Sequence, residues 1–129
     1  MTLTELLDRL AELRPDICSK LISLNEDDHS YHIYTNHGVL SFYSVHKWSN
    51  HHEESGFLDK LKGTIERAIE AEMQKPDNTW FSYGSGFNRQ SKHYAWLRRC
   101  DADKPLHNQP NQTIALLACF VEALEQEVA

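Results

Sequence analysis

The side chains of this 129-residue chain that could do chemistry are unevenly placed. Three of its eight histidines, His46, His51 and His52, stand close together and run into Glu53 and Glu54. Neutral imidazole and carboxylate are good ligands for zinc or nickel. The spacing is not His-Glu-x-x-His, however, and no helical pattern presents these groups together. The stretch from His46 to Ser55 is therefore expected to be a polar loop without a bound metal. Glu26-Asp27-Asp28 is expected to be a solvated turn, because the oxygen-rich spacing of a calcium loop is missing.

Nucleophilic chemistry has as little support. Cys18 lies on an apolar stripe and Cys119 in the middle of an apolar run, where a thiol is usually inert. Cys100 follows Arg98 and Arg99, which could lower its pKa, but no base is placed beside it. Gly84-Ser85-Gly86 lacks the Lys-Ser/Thr of a phosphate loop, and no nucleophile elbow or dinucleotide fingerprint occurs. No catalytic residue and no cofactor are expected. The widely spaced cysteines form no disulfide framework and fit a reducing, cytoplasmic setting.

The richest constellation is a different one. Trp80, Phe81, Tyr83, Phe87, Tyr94 and Trp96 interleave with Arg89, Lys92, Arg98 and Arg99. Aromatic faces among cations suit single-stranded nucleic acid. They equally suit a protein interface, where Trp, Tyr and Arg dominate binding energy. They also suit a plain core. The chain has a net charge of −6, yet residues 78–104 carry five bases against two acids. Acidic segments precede this island: residues 1–28 have seven acids and three bases, and residues 51–77 have seven and four. The overall charge ranks nucleic acid behind protein as a partner. The expected partner-binding residues are Trp80, Tyr83, Arg89, Lys92, Tyr94, Trp96, Arg98 and Arg99.

Several elements must position this surface. Ile114 to Val121 is an unbroken run of eight apolar residues, with Asn111 placed to cap a helix. Ile114, Leu117, Val121, Leu124 and Val128 share one helical face, widened by Leu116, Phe120 and Ala123. At the other end Thr2 and Glu5 fit a capping box, and Leu3, Leu6, Leu7, Leu10 and Leu13 form a helical stripe. Pro15 ends that helix, and a second short one is expected over Ile17, Cys18, Leu21 and Ile22. Tyr31 to Val45 predicts a hairpin turning at Asn36-His37-Gly38 through a loop of two or four residues, not three, with Thr35 opposite Leu40 and Ile33 opposite Phe42. Tyr31, Ile33, Leu40 and Phe42 then face the core, and His32, Tyr34, Ser41 and Tyr43 face away. Ser55 is expected to cap a helix through Phe57, Leu61, Ile65, Ile69 and Met73, closed by Pro76. Thr79–Tyr83 and His93–Arg99 predict a second hairpin. Tyr94, Leu97 and Cys100 also fit a helix, but the strand is favoured. Residues 101–109 read as a polar connection.

The segment from Tyr94-Ala-Trp-Leu-Arg-Arg-Cys-Asp through Asn111-Gln-Thr-Ile-Ala-Leu-Leu-Ala-Cys-Phe-Val-Glu-Ala-Leu resembles the ends of small bacteriophage or prophage proteins. Those often finish with an aromatic strand, a polar loop and an alanine-rich helix. The resemblance carries over no catalytic residue. It implies a small accessory protein, some of which bind host factors.

These patterns together predict one compact α+β domain over residues 1–129. Its two hairpins would form a single antiparallel four-stranded sheet with helices packed on it, in the order α-(α)-β-β-α-β-β-α. The apolar runs are too short to cross a membrane, and the chain begins without the basic-then-apolar pattern of a secretory signal. The expected activity is binding of a protein partner in the cytoplasm.

Overall fold

The computed structural model describes residues 2–22, 29–43, 51–90, 92–99, 102–103 and 106–128. The Glu26–Asp28 turn, Cys100 and the first part of the histidine-rich stretch, including His46, lie outside the described residues. In chain order the elements are α1 (Leu3–Leu13), β1 (Cys18–Ile22), β2 (His29–Thr35), β3 (Gly38–Tyr43), α2 (His51–Met73), β4 (Trp80–Asn88), β5 (Lys92–Arg99), β6 (Ala102–Asp103), β7 (Leu106–Gln109) and α3 (Gln112–Val128). They fall into two compact units, Met1–Thr64 and Ile65–Ala129, and the division lies within α2.

The first unit starts as its sequence dictates. Thr2 Oγ1 accepts from the Glu5 backbone N–H at 3.2 Å, capping α1, and Leu6, Leu7 and Leu10 are buried. Pro15 then stops the helix, but no second helix follows. Residues 18–22 form β1, antiparallel to β2, with Cys18 opposite Ile33 and Lys20 opposite Tyr31. The spacing misled because four apolar residues are too few to separate helix from strand, and pairing with β2 supplies the backbone hydrogen bonds. The side chains confirm the strand: Cys18 is fully buried, whereas Leu21 is exposed. Lys20 reaches Asp8 on α1 at 2.7 Å, and the Tyr31 hydroxyl donates to the same carboxylate. Burial by itself would raise the Asp8 pKa, but the bonds from Lys20 and Tyr31 outweigh it and hold Asp8 below the usual carboxylate value. Burial and the nearby Asp8 charge push the Cys18 thiol up to about 12.

The first hairpin forms with the two-residue loop of the two lengths expected, and the expected residue pairs shift by two. Thr35 pairs with Gly38 and Ile33 with Leu40, which leaves only Asn36 and His37 between paired residues. The Thr35 hydroxyl donates to the Gly38 carbonyl and accepts from the His37 N–H, and Gly38 takes a φ of 123°. A shift of two keeps every side chain on its face. Tyr31, Ile33 and Phe42 are accordingly buried, and Tyr34 and Tyr43 are exposed. Phe42 packs its ring against Phe57 of α2 at 5.4 Å.

The helix α2 begins at His51, earlier than expected, so residues 51–55 belong to helix and not to a loop. Ser55 lies inside it, and Glu53 and Glu54 stand in its first turn, where carboxylates complement the positive helix end. In the second unit Ile65 and Ile69 are buried, and Glu72, nearly as buried, pairs with Lys75 at 2.8 Å.

Residues 93–99 are strand, within β5. The segment expected to be an irregular connection supplies β6 and β7, both antiparallel to β5. The chain therefore does not build one four-stranded sheet from two hairpins. It builds two sheets: β1-β2-β3, and a second made of β4, β5, β6 and β7. Each hairpin recruits its own neighbouring segments, β1 beside β2 and β6 and β7 beside β5, in place of pairing with the other hairpin. Such local pairing closes shorter loops, which costs less chain entropy.

Asn111 caps α3 by accepting from the Thr113 N–H at 2.6 Å. The helix lies against β4, β5 and β7. Leu116, Leu117, Phe120 and Val121 are almost wholly buried, each contributing roughly 1.5–3 kcal/mol. Among the described residues no helix is long and apolar enough to cross a membrane.

Candidate interface on the second sheet

Strand alternation sorts the aromatic residues of β4 and β5 into two populations. Ala95 and Leu97 are buried, on the face that α3 covers. Their cross-strand partners are Ser85 and Tyr83. The register slips between Trp80 and Ser82, a bulge that leaves Phe81 58% exposed. Trp80 itself is only 5% exposed and meets Phe120 edge-on at 6.1 Å. Of the expected binding residues, Trp80 thus belongs to the core. Tyr83 is tied down as well. Its hydroxyl donates to Glu70, and burial, this bond and the charges of Glu70 and Glu66 push its pKa up to about 12.

Tyr94 and Trp96 occupy the opposite face. Their partners across the ladder are Gly86 and Gly84. The rings lie directly over these glycines: a Cβ on Gly84 would stand 2.4 Å from the Trp96 ring, and one on Gly86 would stand 2.8 Å from the Tyr94 hydroxyl. The glycines make a flat floor, and the two rings stack side by side with centroids 6.0 Å apart and planes 22° apart. Both residues are half-buried. Arg98 follows by the same alternation and is exposed. The signal for this arrangement was present in Gly84-Ser85-Gly86, which lies beyond the strand expected over Thr79–Tyr83 and is instead the centre of β4.

The tip of this hairpin lies further out, at Asn88–Lys92. Arg89 and Lys92 are exposed there, and Lys92 has a φ of 57°, the one non-glycine positive value among the described residues. Phe87 is 62% exposed, with its ring 5.0 Å from the His93 imidazole. The backbone of Arg99 pairs with Trp80 and Ala102, and its side chain lies outside the described residues.

A second exposed apolar surface escaped the sequence analysis as a candidate. On the first sheet Tyr34, Val39 and Tyr43 project from the side opposite Tyr31 and Ile33, and Leu21 of β1 is also exposed. On this side the Ser19 and Tyr34 hydroxyls are bonded to each other at 2.8 Å. No group of three or more His, Cys, Asp or Glu side chains is arranged to hold a metal among the described residues. Compared with protein-family models, curated proteins and solved structures, the chain matches none.

Proposed function

We propose that this protein acts by binding another protein through the face of β4 and β5 that carries Tyr94, Trp96 and Arg98. The observation behind this is the stacked Tyr94–Trp96 pair, held flat on Gly84 and Gly86. Aromatic rings whose conformation is already set lose little entropy on binding, and together with Arg they supply most interface energy. An acidic partner surface would complement Arg98. A bacterial host factor is the kind of partner that the bacteriophage likeness of the C-terminal third suggests. Single-stranded nucleic acid is the second reading, favoured by the same stacked rings beside a cation and opposed by the net charge of −6.

The test uses a photo-crosslinking residue at Tyr94, introduced in cells that make the full chain. One acidic protein should be captured. In a pull-down, its recovery should fall at least about tenfold with Trp96→Ala combined with Arg98→Ala, a loss of about 1.4 kcal/mol. Recovery should hold with Tyr34→Ala on the first sheet. Nuclease-sensitive capture, or an in vitro affinity that falls steeply with salt, would favour nucleic acid. Undiminished recovery by the double variant would move the site away from β4 and β5.

A further inference from the structure

We infer that the tip of the β4–β5 hairpin is a binding site for a nucleotide, a ligand with both a flat ring and a phosphate. A depression of about 760 Å3 lies there, lined by Phe87, Arg89, Lys92, His93, Gln109 and Pro110, with Asn88 at its edge. Small-molecule pockets commonly enclose about 300–1,000 Å3. The lining chemistry is selective. In a chain with 19 carboxylate side chains, none lines this depression among the described residues, whereas two cations do.

Three groups assign the parts of the ligand. Arg89 and Lys92 stand within a few residues of each other and offer a guanidinium fork and an ammonium, the pair that grips phosphate oxygens. Phe87, mostly exposed and tilted against His93, offers an aromatic surface on which a base can stack. The amide of Gln109 supplies a donor and an acceptor at the rim, suited to the edge of a base. A bare anion would use the cations and leave Phe87 unused. A neutral aromatic would do the reverse.

The site is separate from the Tyr94–Trp96 face, so it stands or falls independently of the proposed protein contact. Calorimetric titration of the full chain with AMP, inorganic phosphate and a 5′-phosphorylated trinucleotide tests it. AMP should saturate one site per chain and bind at least about tenfold more tightly than phosphate, the gain expected of one stacked base. Arg89→Gln and Phe87→Ala should each weaken AMP at least about tenfold, by removing a charged contact or the stack. A trinucleotide that binds as AMP does indicates a free nucleotide, and one that binds much more tightly indicates a strand end; both uphold the site. In the parent, the His93 imidazole resonances should shift on adding AMP, a readout that needs no variant to fold. Failure of AMP to saturate, unchanged His93 resonances, equal affinity for phosphate, or full affinity in either folded variant would overturn the inference.

Discussion

At the start of β3 a glycine, Gly38, takes a φ of 123°, and at the start of β5 a lysine, Lys92, takes a φ of 57°. Both residues close a hairpin against its first strand, Gly38 opposite Thr35 and Lys92 opposite Asn88. Glycine accepts positive φ freely, whereas a residue with a Cβ is held there at a cost of about 1–2 kcal/mol. The first hairpin has the residue that its backbone prefers. The second keeps a cation in a strained position beside Arg89 and Phe87. The faces differ in the same way. On the first, Tyr31 and Phe42 are buried aromatics and the exposed side is uncharged at Tyr34, Val39 and Tyr43. On the second, Trp80 is buried, and a glycine floor supports a ring pair beside Arg98. On the proposed binding function, one hairpin is shaped by stability and the other by what it presents, since strained or specially supported residues persist where function holds them.

Substitutions can break this comparison, and the largest effect belongs to the first hairpin. Tyr31→Ala removes a fully buried ring and leaves Asp8 without one of its donors, so it should cost about 3–5 kcal/mol in denaturant unfolding. Trp96→Ala, on a half-buried face, should cost clearly less. Equal losses for the two would erase the distinction between a structural and a presenting hairpin.

A smaller effect is expected at the glycine floor. Gly84→Ala drives a methyl into the Trp96 ring, which must swing away from Tyr94. The cost should be about 1–3 kcal/mol, as for other overpacked sites. Tryptophan fluorescence should change, and partner recovery should fall as it does for Trp96→Ala. Unchanged fluorescence would mean that the ring does not rest on Gly84.

The smallest effect sharpens the comparison at the turns. Gly38→Ala should destabilise the chain by about 1–2 kcal/mol, whereas Lys92→Gly should stabilise it by up to about 1 kcal/mol while weakening AMP. Thermal unfolding of the two variants checks the opposite signs. Destabilisation by Lys92→Gly would show that its φ carries no strain.

The sequence alone determined the helices at both ends, their caps at Thr2 and Asn111, the faces of the first hairpin and the strand character of residues 93–99. These rest on local rules: a period of 3.6 or 2, a side-chain oxygen near free N–H groups, a glycine at a turn. Tertiary pairing decided what local rules leave degenerate. Residues 18–22 fit a helix by spacing and became a strand because β2 offered its edge. The hairpin register moved by two residues, a shift that apolar alternation cannot detect. Residues 102–103 and 106–109 became strands only because β5 lay beside them, and so two sheets formed where one was expected. The site divided likewise. Composition located the aromatic and cationic cluster. Strand alternation and a bulge then sent Trp80 into the core against Phe120, tied Tyr83 to Glu70, and left Tyr94, Trp96 and Arg98 on the other face. Which of several aromatic residues is covered depends on where α3 lies, and no spacing along the chain encodes that directly.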